Sequence, residues 1–437
     1  MTPAVYDRSV TTSSRRFRFA LLFGLAMTEM MPIALISQAL PLFLRRSGAS
    51  LQAIGLISLV LLPRALKVFW APFVDRIGAS SRFGRYRLWL LCLHGLLVVS
   101  LALGAFTDVE AWLTTKLTFG IPALLWLSIL SATADTASHA LAVNLLAPDE
   151  RGSGNGVQTA GMMLGSLVGG GALVMLVEQT SWKLALLLMA GAILLPLPAV
   201  LLYQEPPLAS AQHVTAREIF AFFKRPRLGR WLLFLGLMAI GPSTIDICLP
   251  SLLVDRGYAL SEIGLVMGVI TSLAGAAGGA FGGVLIKHLG RERAFYALTL
   301  LCSACLASTL LTRMAPGRAL LYAGLALPYF GVVARAPLLY AMIMDRSRGH
   351  VASSDYTVQF TLVQISGFLG LGLGGVIAEQ LGMTAAFVTA PLLTLGTLVA
   401  AKYLVAPQDF QPDPETATSD ADTALSRGSS ALTPADS

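Results

Sequence analysis

The amino-acid sequence predicts an all-α polytopic membrane protein with twelve transmembrane helices arranged as two six-helix repeats, and three observations carry that prediction. Of the 437 residues, 55% are hydrophobic and only 13% are charged, whereas an ordinary soluble domain is about one-quarter charged. The apolar residues gather into twelve runs, each long enough for a hydrocarbon core that takes about 20 helical residues to cross. Motifs of the first half also return in the second.

The runs lie near 19–44, 51–75, 87–106, 118–146, 156–177, 182–203, 230–254, 261–286, 294–312, 318–344, 356–378 and 384–405. A cytoplasmic N-tail, 1–18, is polar and then basic. The run after it is too long for a signal-peptide core and lacks a clear small-residue cleavage site, so the first helix is expected to stay in the membrane. Six helices over 19–203 form a first bundle and six over 230–405 a second. Between them, 204–229 is a cytoplasmic linker whose "TAREIFAFFKRPRLGR" reads as a short amphipathic surface helix. The tail, 406–437, is rich in Asp, Ser, Thr, Ala and Pro and reads as disordered.

The repeat is explicit. "LPLFLRRSGASLQAIGL" (Leu40 to Leu56) aligns with "LPSLLVDRGYALSEIGL" (Leu249 to Leu265) at an offset of 209, and Val157, Gln158, Gly169, Gly171, Glu178 and Gln179 return at an offset of 201. Parallel repeats joined by a longer central loop suit two bundles that rock about a midplane site. Of 31 Lys and Arg, 21 fall on the side of the two termini, seven on the other side and three within spans. Both termini are therefore expected to be cytoplasmic.

Several function classes drop out. The net charge of +7 has no basic stripe interleaved with aromatics, so nucleic acid is not a partner. Cys92, Cys248, Cys302 and Cys305 lie in apolar runs and read as small packing residues. The five histidines have no ligand spacing, so no metal is expected, and no cofactor. "LGSLVGGG" and "LGLGLGG" follow no strand and precede no Gly-Lys-Ser/Thr, which leaves close helix packing rather than phosphate binding. No nucleophile with a positioned base points to an enzyme.

The stretch "APFVDRIGASSRFGRYR" resembles the loop signature that follows the second helix in the major facilitator superfamily. It keeps Asp75, Arg76 and Gly78, has Ala71 at the first glycine, and delays its basic part to Arg82, Arg85 and Arg87. The second copy, "GVLIKHLGRER", has Lys287 where the aspartate would stand. The resemblance spans Arg18 to Lys402 and implies that Asp75, Arg76, Gly78 and Arg85 form a cytoplasmic gate, with the aspartate bonded to a helix end and an arginine. Within the superfamily, "LPRALKVFWAPFVDR" and "LAPDERGSGNGVQTAGMMLGSLVGGG" resemble the branch of muropeptide permeases and RhtX/FptX-type siderophore permeases, the second stretch being closer to the siderophore group.

Charge inside a span is costly and marks function by default. Glu29, Arg64, Lys67, Asp135, Asp246 and Arg335 lie within the first, second, fourth, seventh and tenth runs, on helices that the resemblance places at or beside the central cavity. Glu29 and Arg64 lie near the midplane, about 15 Å from the cytoplasmic boundary at about 1.5 Å per residue. On the second helix Arg64, Lys67, Ala71 and Asp75 share one face. Asp135 and Arg335 occupy nearly equivalent places in the two repeats and are positioned to meet. Three roles stay open: structural ion pairs, with Lys67 able to snorkel; anion binding by Arg64, Arg335 and Lys67; and proton carriage by Asp135 and Glu29, with His139 one turn from Asp135 as a partner.

The expected function is proton-coupled import of a siderophore, as its iron complex, by a monomer in a bacterial inner membrane. The alternatives are another bulky anion such as a muropeptide, export, or a transport-inactive receptor or membrane-embedded enzyme.

Overall fold

The computed structural model describes residues 14–46, 58–77, 84–107, 117–204, 221–258, 260–314 and 318–411. Eleven helices among them are long and apolar enough to cross a membrane. They are α1 (Arg15–Leu44), α3 (Arg85–Gly104), α4 (Leu117–Leu145), α5 (Arg151–Gln179), α6 (Trp182–Leu202), α7 (Leu228–Asp255), α8 (Glu262–Leu289), α9 (Arg291–Leu310), α10 (Arg318–Asp345), α11 (Gly349–Leu381) and α12 (Met383–Leu404).

The twelfth, α2, is not one helix. It runs as Ser58–Leu61, Pro63–Leu66, Lys67–Phe69 and Ala71–Arg76, alternating 3₁₀ and α turns. Pro63 and Pro72 each start an α piece, because proline suits a first turn and cannot continue a ladder. The expected first residues of this span, 51–57, lie outside the described residues, as do 215–220 of the expected linker helix and all of the tail after Gln411.

Elsewhere the ends follow local chemistry. Ser14 caps α1 and Ser181 caps α6 through their hydroxyls. Gly290 and Gly382, at φ of 75° and 88°, make the tight turns from α8 into α9 and from α11 into α12. A single π turn interrupts α1 at Leu35–Ala39, α5 at Val168–Ala172 and α8 at Val266–Ile270. These three turns adjoin, α1 against α5 and α5 against α8.

Within the first half α1 packs on α5 and α4, and α3 on α4 and α6; within the second, α7 packs on α11 and α12, and α10 on α8 and α9. The halves join along α5 and α8. There a Cβ at Gly156 would lie 2.8 Å from the Gly283 Cα, and one at Gly283 2.9 Å from the Gly156 Cα. Only glycine permits that approach. The second junction sets α2 and α4 against α11. Large apolar side chains, including Leu195, Leu202, Phe69 and Leu392, cover the outside, which suits a lipid-facing surface.

Candidate functional site

The end of the bundle that carries Arg15, Arg85, Arg151 and Arg291, here the basic end, is closed by contacts between the halves. Helix α11 starts its α-helical part at Ala352 with no capping side chain of its own, so its first N–H groups need acceptors. Asp75 of α2 supplies them from the other half. Its fully buried carboxylate accepts from the Ser353 N–H at 3.0 Å, the Ser354 N–H at 2.7 Å, the Ser354 hydroxyl and the Tyr86 hydroxyl at 2.8 Å. Ser353 returns a bond to the Ala71 carbonyl at 3.0 Å. A carboxylate at a helix N-terminus is favoured by the exposed N–H groups and the helix dipole.

Beside this cap, Asp345 at the end of α10 takes Arg151 of α5 at 2.8 Å and Arg291 of α9 at 2.7 Å. Arg85 donates to the His350 carbonyl at 2.7 Å, and Asn144 to the Gly349 carbonyl at 3.2 Å. Asp75 therefore bonds a helix end, as the resemblance implied, but its side-chain partners among the described residues are Tyr86 and Ser354 rather than an arginine. Arg85 takes a backbone carbonyl instead, Arg76 is exposed, and Gly78 lies outside the described residues.

Further into the membrane, four of the charges expected at the cavity converge. Lys67, 1% exposed, pairs with Asp135 of α4 and lies 4.7 Å from the centre of the Phe360 ring of α11. It is held inside the bundle by a carboxylate and an aromatic face, and does not snorkel. On the other oxygen of Asp135, His139 stands at 3.6 Å, one helical turn on. Its ring faces Tyr356 at 4.6 Å and Tyr340 at 6.0 Å, both from the second half.

Glu29 of α1 is buried, with Oε1 lacking a hydrogen-bond partner. Arg64 is half-buried and donates to the Met30 sulfur at 3.7 Å. Among the described residues no carboxylate lies within ion-pair distance of it. Glu29, Met30, Arg64, Asp135 and Met162 line a narrow cleft. The face predicted for α2 survives the breaks, since Lys67, Ala71 and Asp75 are all buried while Leu62, Leu66, Phe69 and Phe73 are exposed.

The second half contributes less. Asp246 is exposed in the turn between Ser243 and Cys248 that breaks α7, beside Tyr329. Arg335 is buried and bonded to the Met238 carbonyl of α7, with Cys302 of α9 nearby. It does not meet Asp135, whose cation is Lys67 of its own half. The reason is geometric: Arg335 shares a face with Gly331, one turn earlier, and that face packs on Cys302 and Cys305 of α9.

Several residues at these contacts were not legible as site residues: Ser353, Ser354, Tyr86, Asp345, Arg151, Arg291, Tyr356 and Phe360. One signal was present, the small polar "SSD" at the start of an apolar run, which marks a helix N-terminus.

A twelve-helix bundle of two repeats, with an ion-paired core and one closed end, is the architecture of an alternating-access transporter. The model of the Major Facilitator Superfamily matches residues 22–371, and the chain belongs to that family. It is 30% identical to the anhydromuropeptide permease of Escherichia coli K12 over 285 residues, which is 63% of this chain and 57% of the permease. It thus spans less than two thirds of that relative. It is also 25% identical over 295 residues to the putative transporter AmpG 4 of Rickettsia felis, covering 64% of this chain and 70% of the relative. Among solved structures, the human organic anion transporter MFSD10 aligns with a TM-score of 0.66 at 17% identity, over 88% of this chain and 99% of that one. The E. coli fucose:proton symporter aligns at 0.61 and 13%, over 89% and 98%. At those identities the structural likeness concerns the fold alone. The protein is a multi-pass membrane member of the Major Facilitator Superfamily, similar in sequence to a muropeptide permease.

Proposed function

We propose that the protein is a proton-coupled importer of a bulky organic anion of the muropeptide class in a bacterial inner membrane. The observation that carries this is the juxtaposition of Arg64, which has no carboxylate at ion-pair distance among the described residues, with the buried Lys67–Asp135 pair and the part-satisfied Glu29. Twenty-one of 31 basic residues on the terminal side make the basic end cytoplasmic. The site is then shut from the cytoplasm by Asp75 and Asp345.

A carboxylate of the substrate takes Arg64, whose guanidinium offers two parallel donors. The new negative charge beside Glu29 and Asp135 favours their protonation. Once Asp135 is neutral, Lys67 loses its counter-charge and its place on α2 changes. Lys67 opens the 3₁₀ turn Lys67–Phe69, and the next piece of α2, Ala71–Arg76, carries Asp75. Site and gate thus sit on adjoining segments of one broken helix. The two bundles, 19–203 and 230–405, rock as units, and the protein acts as a monomer.

A second reading, import of an iron–siderophore complex, rests on the resemblance of the Leu146–Gly171 stretch to siderophore permeases. The matched relatives shift preference to the muropeptide. In right-side-out vesicles given an acidic exterior, labelled anhydromuropeptide should accumulate and a protonophore should abolish it. Accumulation of a ferric siderophore alone selects the second reading; accumulation of neither ends the importer proposal.

A further inference from the structure

Both halves carry a proline inside their first helix. Pro32 in α1 and Pro242 in α7 lie 210 residues apart, as do Thr28 and Met238, four residues before each proline. A proline has no N–H, so the carbonyl four residues earlier loses its helical donor, and a buried carbonyl without a donor is costly. In α7 the donor comes from another helix: the Arg335 guanidinium of α10 bonds the Met238 carbonyl. Arg335 is 5% exposed and has no carboxylate partner among the described residues.

The first half has a counterpart built from different atoms. His94 of α3 is fully buried, and its Nδ1 sits 2.9 Å from the Leu90 carbonyl, to which it donates. Its Nε2 lies 3.1 Å from the Thr28 hydroxyl, which also reaches the Gly24 and Leu25 carbonyls at 3.0 Å. In each half, one buried polar side chain crosses the bundle to the residue one turn before the kink.

We infer that Arg335 is a positioning residue: it supplies the hydrogen bond that Pro242 removes, and so fixes the kink of α7 and the turn that carries Asp246. It takes no part in holding substrate. The break that follows, Thr244 to Ile247, depends on where the preceding turn ends. A cation serves here because a guanidinium reaches across the bundle and still donates with fixed geometry.

The test is a double-mutant cycle on the full chain in detergent. In Pro242→Ala the N–H at position 242 returns and bonds the Met238 carbonyl, so Arg335 loses its task. Arg335→Met should lower the melting temperature by about 5 °C or more in the natural background and by less than half as much with Pro242→Ala. Equal losses in both backgrounds overturn the inference. Should Arg335→Met fail to accumulate alone, its recovery with Pro242→Ala supports the inference and its continued absence contradicts it.

A transport readout separates positioning from binding and rests on the proposed function. With labelled anhydromuropeptide, Arg335→Met should reduce Vmax about tenfold with KM within about twofold, and Arg335→Lys should restore most of the rate. A tenfold rise in KM at unchanged Vmax would make Arg335 a substrate contact. If the unaltered protein does not carry that probe, the importer proposal fails while the melting cycle still decides the role of Arg335.

Discussion

In the first half of the chain, charges within the spans converge: Glu29, Arg64 and Asp135 come from three helices to one cleft, with Lys67 and His139 against Asp135. In the second half they stand apart, Asp246 in an open turn and Arg335 on a backbone carbonyl inside the bundle. Two repeats of one fold have thus solved charge burial differently. Charges that meet can exchange partners when a proton or an anion arrives, whereas a cation bonded to a helix kink holds geometry. The gate repeats the asymmetry. Asp75 caps α11, while the corresponding position in the second half is the exposed Lys287, and the matching face is held by Asp345 between Arg151 and Arg291.

The comparison can be broken most forcefully at Lys67. Lys67→Met leaves Asp135 buried without its cation, a loss of about 3–5 kcal/mol for such pairs, and should abolish uptake and lower thermal stability. Adding Asp135→Asn should restore stability but not proton-driven accumulation. A single mutant as stable as the unaltered protein would mean that the pair is not held as described.

Asp75→Asn removes the charge from the cap of α11 but keeps one acceptor. It should shift the population open at the basic end about tenfold, or 1.4 kcal/mol, read from distances between spin labels at the exposed Arg76 and Lys287. An unchanged distance distribution would separate Asp75 from the gate. Arg64→Ala should raise KM about tenfold with a smaller change in Vmax, as expected for the loss of one charge-assisted contact. The smallest effect belongs to the second half: Asp246→Asn, exposed and outside the cluster, should change uptake by less than about twofold. A loss as large as that of Lys67→Met would remove the contrast between the halves.

The sequence made the fold legible because twelve apolar runs and an explicit repeat leave little freedom in a bilayer. Of the face expected on α2, Lys67, Ala71 and Asp75 are buried even after Pro63 and Pro72 interrupt the helix, while Arg64 is half-buried. The His139–Asp135 contact followed from i, i+4 spacing. Pairings between helices were not legible. Nothing local distinguishes Lys67 from Arg335 as the partner of Asp135, because the choice depends on how α2 and α10 rotate about their axes. Ser353 and Ser354 were invisible as gate residues for a related reason: they act through backbone N–H groups that every helix start possesses. The role inferred for Arg335 depends on a partner across the bundle, the Met238 carbonyl four residues before Pro242.

In the proposed mechanism Asp135 couples protons to the anion. The direct measurement compares Asp135→Asn with the unaltered protein in right-side-out vesicles, reading labelled anhydromuropeptide uptake with and without an imposed proton gradient and, separately, exchange at equal concentrations on both sides. The mutant should keep exchange and lose the acceleration and accumulation that the gradient provides. Gradient-driven accumulation at the unaltered rate would contradict the claim that the first-half cluster couples transport to protons.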